Sequence, residues 1–577
     1  MQRSLVWLVV ATIAALVGLW RLPHLSQAYV GPTAWSGVPQ FSALTAWGYA
    51  ETLATQFPRR WSGSVDRQAA ADWIASALRA SGLEVHRSRF EAALGQDRPT
   101  VLENVWGISP GTDRAAEIIV ALGNYDMAST SYQAASDTAG HVGTILELAR
   151  VLHSAPHRRT FLFLFPDGEE WGMLGARHFA HTFPGRKSIV AALSIEDLDA
   201  GRIDALGLDG IGQFRGFTPM WLRTLGADAA RREGLPVEDA TPLSEWLQRS
   251  VLVSSTDQGP FLAAGIPAID LAGRTADRVA QNRIYHLTGD TMDKMQPRSV
   301  EIYGRIQERV LRAIDAMPEA PNEPQEYLRT APERIVTRPG LLAVQAVVFL
   351  PLLVSVLSRV RSETAPRSLL SESVGLGSVL MVMVGGLAVL KVLPRLGVMA
   401  VYALYPPPPR HPVLTEVNWA AVAVVFLAVG ALAWLFWRIG RAVHRPAGEV
   451  DARGAVTVLR GWLLVLAVLA LVDNAFGAVT FLLFPALLWI WIEPGPSTLR
   501  RLANAVLIAA GFVAFLALVV SYGQRLHLGG YVLWYLFMGA AYGQFTTLRL
   551  VMTLALFAIA LRLLVNIGRT SLTTAQS

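Results

Sequence analysis

Cysteine is absent from all 577 residues. That excludes disulfides, thiolate nucleophiles and Cys-ligated zinc, and it leaves the redox compartment open. Charge is scarce: Asp, Glu, Lys and Arg make up 16% of the chain, against about 25% in soluble domains. Carboxylates are scarcer still after Gly340, where 7 of the 44 lie, against 17 of the 50 Lys and Arg. The formal +6 therefore divides into +10 after Gly340 and −4 before it. The excess base sits between apolar runs and not in one patch, which argues against nucleic acid as a partner.

What is abundant is apolar sequence, 52% of the chain. Leu5 to Trp20 is uncharged and flanked by Arg3 and Arg21. Ser26-Gln27-Ala28 resembles a signal cleavage site, but apolar runs return later, so residues 1–29 are expected to be an uncleaved membrane anchor. Residues 30–317 have ordinary charge density and enough length for one globular domain. Residues 318–340, with five prolines, read as a linker. Residues 341–577 read as an all-α transmembrane bundle of about eight helices, on runs near 341–358, 373–392, 418–437, 456–472, 475–492, 502–521, 529–543 and 550–567. Arg359/Arg361/Arg367, Arg438/Arg441/Arg445/Arg453 and Arg500/Arg501 fall in alternate loops. The positive-inside bias puts those loops in the cytoplasm and residues 30–335 on the extracytoplasmic side. The expectation is an integral membrane protein, in the inner or plasma membrane if bacterial. Asp473-Asn474 reads as a loop between two spans, and Lys391, Arg460 and Arg562 as residues near span ends that snorkel to the interface.

Within residues 30–317, helical and strand patterns alternate. Val101–Ile108, Glu117–Leu122, Thr160–Phe165 and Ser188–Ile195 read as strands; Arg67–Ser81, His141–His153 and Leu174–His181 read as helices. The fold class is α/β, a mostly parallel mixed sheet flanked by helices. Sites in such sheets form at the carboxyl ends of strands. Polar groups gather there: Asn124-Tyr125-Asp126, Ser136-Asp137, Asp167-Gly168-Glu169-Glu170, Glu196-Asp197 and, further on, His286 near Asp290. Carboxylates converging on one rim repel each other unless a cation lies among them, and a carboxylate-plus-His set suits zinc. Adjacent glutamates allow one to ligate a metal while the other serves as general base.

The run Phe161 to Ala180, with Asp167-Gly168-Glu169-Glu170-Trp171-Gly172-Met173-Leu174-Gly175, resembles the signature of M28-type zinc aminopeptidases. Gly140–Arg150, Ser255-Thr256-Asp257-Gln258…Gly265-Ile266-Pro267 and Tyr285-His286…Asp290-Thr291 resemble three further motifs of that family, in family order. The resemblance implies Glu169 as general base, Glu170 and His286 as ligands of one zinc, and Glu196 on a second. Asn124 stands at a substituted ligand position, where the family has His. Aligned without gaps, the bridging aspartate's place falls on Ser136, and a one-residue slip in that loop delivers Asp137. His141 shares a helix face with Asp137 and is the remaining imidazole near the gap. One zinc is expected, two if Glu196 joins. The implied function is a membrane-anchored metallo-aminopeptidase hydrolysing peptide bonds of a peptide or protein substrate with a metal-activated water. The alternative is a catalytically inactive M28-like scaffold beside other membrane subunits. The architecture resembles both endoplasmic-reticulum metallopeptidases and the luminal GPI transamidase subunit, which keeps the fold without the zinc site.

Overall fold

The computed structural model describes residue 10 and residues 26–569, apart from 93, 95–98, 324, 332–333, 364–365, 400–415, 444–451 and 526–527. Apart from residue 10, the apolar run expected as an anchor lies outside the described residues, as does the four-proline segment at 406–409.

The globular part is built on eight strands: β2 (Glu84–Ala92), β3 (Thr100–Ser109), β4 (Arg114–Leu122), β5 (Arg159–Phe165), β6 (Ile189–Ser194), β7 (Ala205–Asp209), β8 (Val237–Glu238) and β9 (Ala268–Arg274). Their spatial order is β2-β3-β5-β4-β6-β9-β7-β8. The centre, β5-β4-β6-β9, is parallel, with Ala121 opposite Phe163 and Leu193, and Leu193 opposite Ile269. β3 joins β5 antiparallel, and β7 joins β9 antiparallel.

The sequence of β5 explains its place. Phe161, Phe163 and Phe165 enter the larger core on one face, while Leu162 and Leu164 enter a second core on the other. A strand buried on both faces needs a continuous apolar run, and period-two alternation divides it between the two cores. Helices Ala43–Gln56, Val65–Ala80, Gly140–His153, Met220–Arg232 and Pro297–Ala316 supply the larger core. Leu174–Thr182 and Gln258–Ala263 cover the opposite face.

The segment expected as a linker is partly ordered. Tyr327–Ala331 (β10) and Arg334–Thr337 (β11) form a hairpin, and β11 also pairs with Ser26–Ala28 (β1). Tyr327 and Leu328 are buried, so apolar burial there outweighs the proline-rich composition.

Among the described residues, five helices are long and apolar enough to cross a membrane: Arg338–Val360, Ser368–Val392, Trp419–Ile439, Ala452–Trp491 and Thr547–Gly568. A sixth crossing is available to the pair Thr498–Ala510 and Val513–Ser521, bent by 41°. The expected runs 456–472 and 475–492 form two limbs, and the joint expected at Asp473-Asn474 is a sharp break at Asn474, with φ −156° and ψ 98°. The limbs fold back on each other, since Arg460 near the start of the first bonds to the carbonyls at the end of the second. The run near 529–543 holds an 11-residue helix, Val532–Tyr542, about 17 Å long and too short to cross.

Arg460 and Arg562 do not snorkel. Arg460 donates to the carbonyls of Trp489, Ile490 and Ile492. Arg562 donates to Glu372 Oε2 at 2.6 Å, and Asn566 Nδ2 reaches the same oxygen at 3.0 Å. Glu372 is fully buried. Breaking such a pair strands a charge, so Arg562→Ala is expected to cost about 3–5 kcal/mol in unfolding of the detergent-solubilised chain. Glu372→Ala combined with Arg562→Ala should cost less than the two single changes added together.

Candidate metal centre

The central parallel strands end on one rim, and the loops that leave them carry the acids. After β5 the chain turns at Gly168, whose φ of +80° suits glycine, and delivers Glu169 and Glu170. The Glu169 amide donates to Asp126 Oδ1 at 3.2 Å, tying the end of β5 to the end of β4.

Asp137 arrives by a distorted turn. Gln133 and Ala134 take positive φ, 63° and 46°, and Ala135–Ala139 closes a π turn with Asp137 at φ −135°, ψ 81°. Non-glycine residues in such conformations cost about 1–3 kcal/mol each, and two side chains offset that. Arg60, fully buried, donates to the carbonyls of Tyr125, Gln133 and Ala134 and to Thr138 Oγ1. From the other side, Asp290 accepts the amides of Ser136 (2.8 Å) and Asp137 (3.2 Å). His286 follows helix Arg278–Ile284 at φ 56°, a region histidine tolerates better than most residues. Thr130 Oγ1 donates to the His286 carbonyl at 2.6 Å.

These loops bring three side chains together. His286 Nε2 lies 2.9 Å from Asp137 Oδ2 and 3.4 Å from Glu170 Oε2, and one ligand atom from each residue falls within 4.8 Å of the others. Zinc bonds of about 2.0–2.1 Å in a tetrahedron put neighbouring ligand atoms about 3.3 Å apart. One imidazole and two carboxylates at these spacings therefore fit zinc and leave a fourth position open. The π turn brings Asp137 against His286.

Buried carboxylates crowded together raise one another, a cost that a cation among them would offset. Burial pushes Glu170 up to about 8 despite His286 beside it. Burial opposes the charged imidazole of His286, but Glu170 and Asp137 outweigh it and raise the group to about 9. Burial would raise Asp137 too, yet the bond to His286 holds it below its ordinary range. Glu169 is raised well above the usual carboxylate range by burial and by Glu170, Glu196, Asp257 and Asp137.

Glu196 stands apart from the trio. Its Oε2 accepts the Asp257 amide at 3.3 Å. Burial pushes Asp257 up to about 7 and Glu196 well above its ordinary range. Asn124 turns its Nδ2 toward the carbonyl and carboxylate of Asp126. His141 Nε2 lies 2.9 Å from the Asn124 carbonyl, so it braces that turn and lies outside the trio.

Sequence reasoning gave no role to Asp257, Asp290 or Arg60. Asp257 and Asp290 lie inside stretches that already resembled the family, so their signal was present. Arg60, in Pro58-Arg59-Arg60, carried none.

Residues 104–311 match the sequence profile of Peptidase family M28. A probable zinc metalloprotease of Pyrenophora tritici-repentis is 26% identical over 267 residues, 39% of this chain and 54% of that protein. A vacuolar membrane protease of Candida albicans is 27% identical over 192 residues, 33% of this chain and 20% of its own length. The chain thus spans about half or less of the curated relatives it matches. Among solved structures, a zinc aminopeptidase from Bacillus subtilis is 16% identical, covering 49% of this chain and all of its own at a TM-score of 0.40. A glutaminyl cyclase from Porphyromonas gingivalis is 17% identical, covering 48% and 99% at 0.40. The globular part of this chain thus carries a Peptidase family M28 domain, through residues 104–311.

Proposed function

We propose that the chain is a membrane-anchored, zinc-dependent aminopeptidase whose globular part lies outside the cytoplasm. The observation that carries this reading is the convergence of Asp137, Glu170 and His286 with Glu169 directly beside them. Asp137 at 2.9 Å from His286 speaks against the scaffold alternative, which a displaced Asp137 would have favoured.

Asp137, Glu170 and His286 would hold one zinc, which when bound polarises water and the scissile carbonyl. Glu169 takes the proton of the attacking water and returns it to the leaving amine. Glu196 and Asp257 form a buried acidic cluster near Glu169, and a protonated substrate α-amine would supply a positive charge among them. The requirement for a free N-terminus follows from that pairing.

Arginine placement supports the topology. Arg359 lies 3.7 Å from Glu493, and Arg460 binds the 489–492 carbonyls, so the basic ends of several helices share one side of the bundle. The Asp473-Asn474 break sits at the other end, against the globular part.

Metal analysis of the full chain should find about one zinc. An aminoacyl nitroanilide should be hydrolysed while its N-acetyl form is not. A chelator should abolish turnover and added zinc restore it. A metal-free chain turning over at the background rate would sink this reading.

A further inference from the structure

We infer that the membrane bundle is part of the active-site framework: Asn474 and Arg549 are positioning residues that hold the segment 249–257, and with it Asp257, against Glu196. The inference rests on the peptidase reading and extends it to residues far from the metal ligands in sequence.

Helix Pro242–Val251 ends with Leu252 in the left-handed region, φ 53°. The last carbonyls of any helix need donors from elsewhere, and here they come from the membrane helices. Asn474 Nδ2 donates to the carbonyls of Arg249 (2.8 Å) and Ser250 (3.1 Å). Arg549 donates to the carbonyl of Val251 through Nη1 (3.0 Å) and to that of Phe214 through Nη2 (2.7 Å), while its Nε binds Asp473 Oδ2 (2.8 Å).

The break at Asn474 makes this capping available. A residue inside an unbroken helix has its backbone committed, and its side chain lies along the helix surface. With the helix broken, Asn474 Oδ1 accepts the Gly477 amide and starts the second limb, leaving Nδ2 for the globular part. A Cβ at Gly477 would sit 2.9 Å from the Ser250 carbonyl, so glycine permits the close approach. Trp246 Nε1 and Ser250 Oγ both reach Thr480 Oγ1, at 2.8 and 2.6 Å.

From this joint a continuous hydrogen-bonded block runs to the acid pocket. The Phe214 amide donates to the Leu252 carbonyl at 2.8 Å. The Ser254 amide donates to Gln213 Oε1 at 2.9 Å, and the Gln213 amide to the Gly259 carbonyl at 3.1 Å. Ser254 Oγ donates to the Thr256 carbonyl, and the next amide, that of Asp257, reaches Glu196. Asp137 and His286 are held by Arg60, Asp290 and Thr130, none of which belongs to this block. Zinc binding and the placement of Asp257 are therefore separable.

The test compares full-length wild type, Asn474→Ala, Arg549→Ala and Arg549→Lys in one detergent, on the free-amine nitroanilide, with zinc content measured in each. Arg562→Ala, which disturbs the same last helix away from the joint, is the control. The expected result is a KM raised about tenfold in both alanine variants, a smaller change in kcat, and unchanged zinc. Arg549→Lys should recover part of the loss, because a lysine still reaches Asp473 and one carbonyl. A KM within twofold of wild type in folded Asn474→Ala and Arg549→Ala overturns the inference, as does an equal rise in Arg562→Ala. Should Arg549→Ala fail to accumulate, Asn474→Ala alone decides by the same criterion. A wild-type chain with no zinc-dependent turnover overturns the peptidase reading and this inference with it.

Discussion

Glu169→Gln is expected to lower kcat by a factor of about 10²–10⁴, the usual worth of a positioned general base, while zinc content stays at the wild-type level. The amide keeps the size of the side chain and cannot take a proton at neutral pH. Zinc is retained because the ligand atoms come from Asp137, Glu170 and His286, and Glu169 sits beside them. The sign of the pH dependence follows from the electrostatics. Burial and the surrounding acids raise Glu169 well above the usual carboxylate range. A cation among Asp137, Glu170 and His286 opposes that shift and lets Glu169 ionise. Activity of the loaded enzyme should therefore rise with pH along an acidic limb set by Glu169, and that limb should vanish from the residual activity of Glu169→Gln. The measurement is kcat/KM against pH for both proteins at equal zinc occupancy. A variant that keeps the limb, or keeps more than a tenth of the rate, would remove Glu169 from the chemistry.

Strands β3 to β6 were legible because their signals are local, whereas β2, β7, β8 and β9 were not read from the sequence. A run such as Thr-Phe-Leu-Phe-Leu-Phe has to be buried on both faces, and its ends name the rim where Glu169 and Glu170 emerge. Asp137 was harder. Its delivery depends on two positive-φ residues and a π turn held by Arg60 and Asp290, which come from segments 77 residues before and 153 residues after it. Spacing alone points to Ser136. Asp257 was visible as part of a motif, but its pairing with Glu196 across the pocket is a tertiary fact. In the apolar region, hydropathy marked the runs and the joint at Asp473-Asn474 but could not name the partners of charged side chains. Arg562 has its partner 190 residues away in Glu372. The proline-rich stretch misled in the other direction, since Tyr327 and Leu328 find a core that composition does not reveal.

His286→Asn should abolish zinc binding and, with it, activity. Asn is chosen because the position has φ 56°, which asparagine adopts at little cost, so the change removes the imidazole without straining the turn. Two carboxylates remain, fewer than the three protein ligands a catalytic zinc keeps. In the metal-free wild type, His286 is raised from 6.5 to about 9 by Glu170 and Asp137 against the effect of burial. A raised imidazole stabilises the fold fully below its unfolded value of 6.5 and loses that contribution as pH climbs through 9. Metal-free wild type should therefore lose thermal stability between pH 6.5 and 9. Zinc acts oppositely: it binds the deprotonated ligands, so its affinity and its stabilising increment grow with pH. At a free zinc concentration one hundred times Kd that increment is about 2.7 kcal/mol. Thermal melts at pH 6, 7 and 8, with and without zinc, should give a widening difference for wild type and none for His286→Asn. A zinc-dependent increase in Tm that survives the substitution would place the metal elsewhere and leave the trio as an ion-paired cluster.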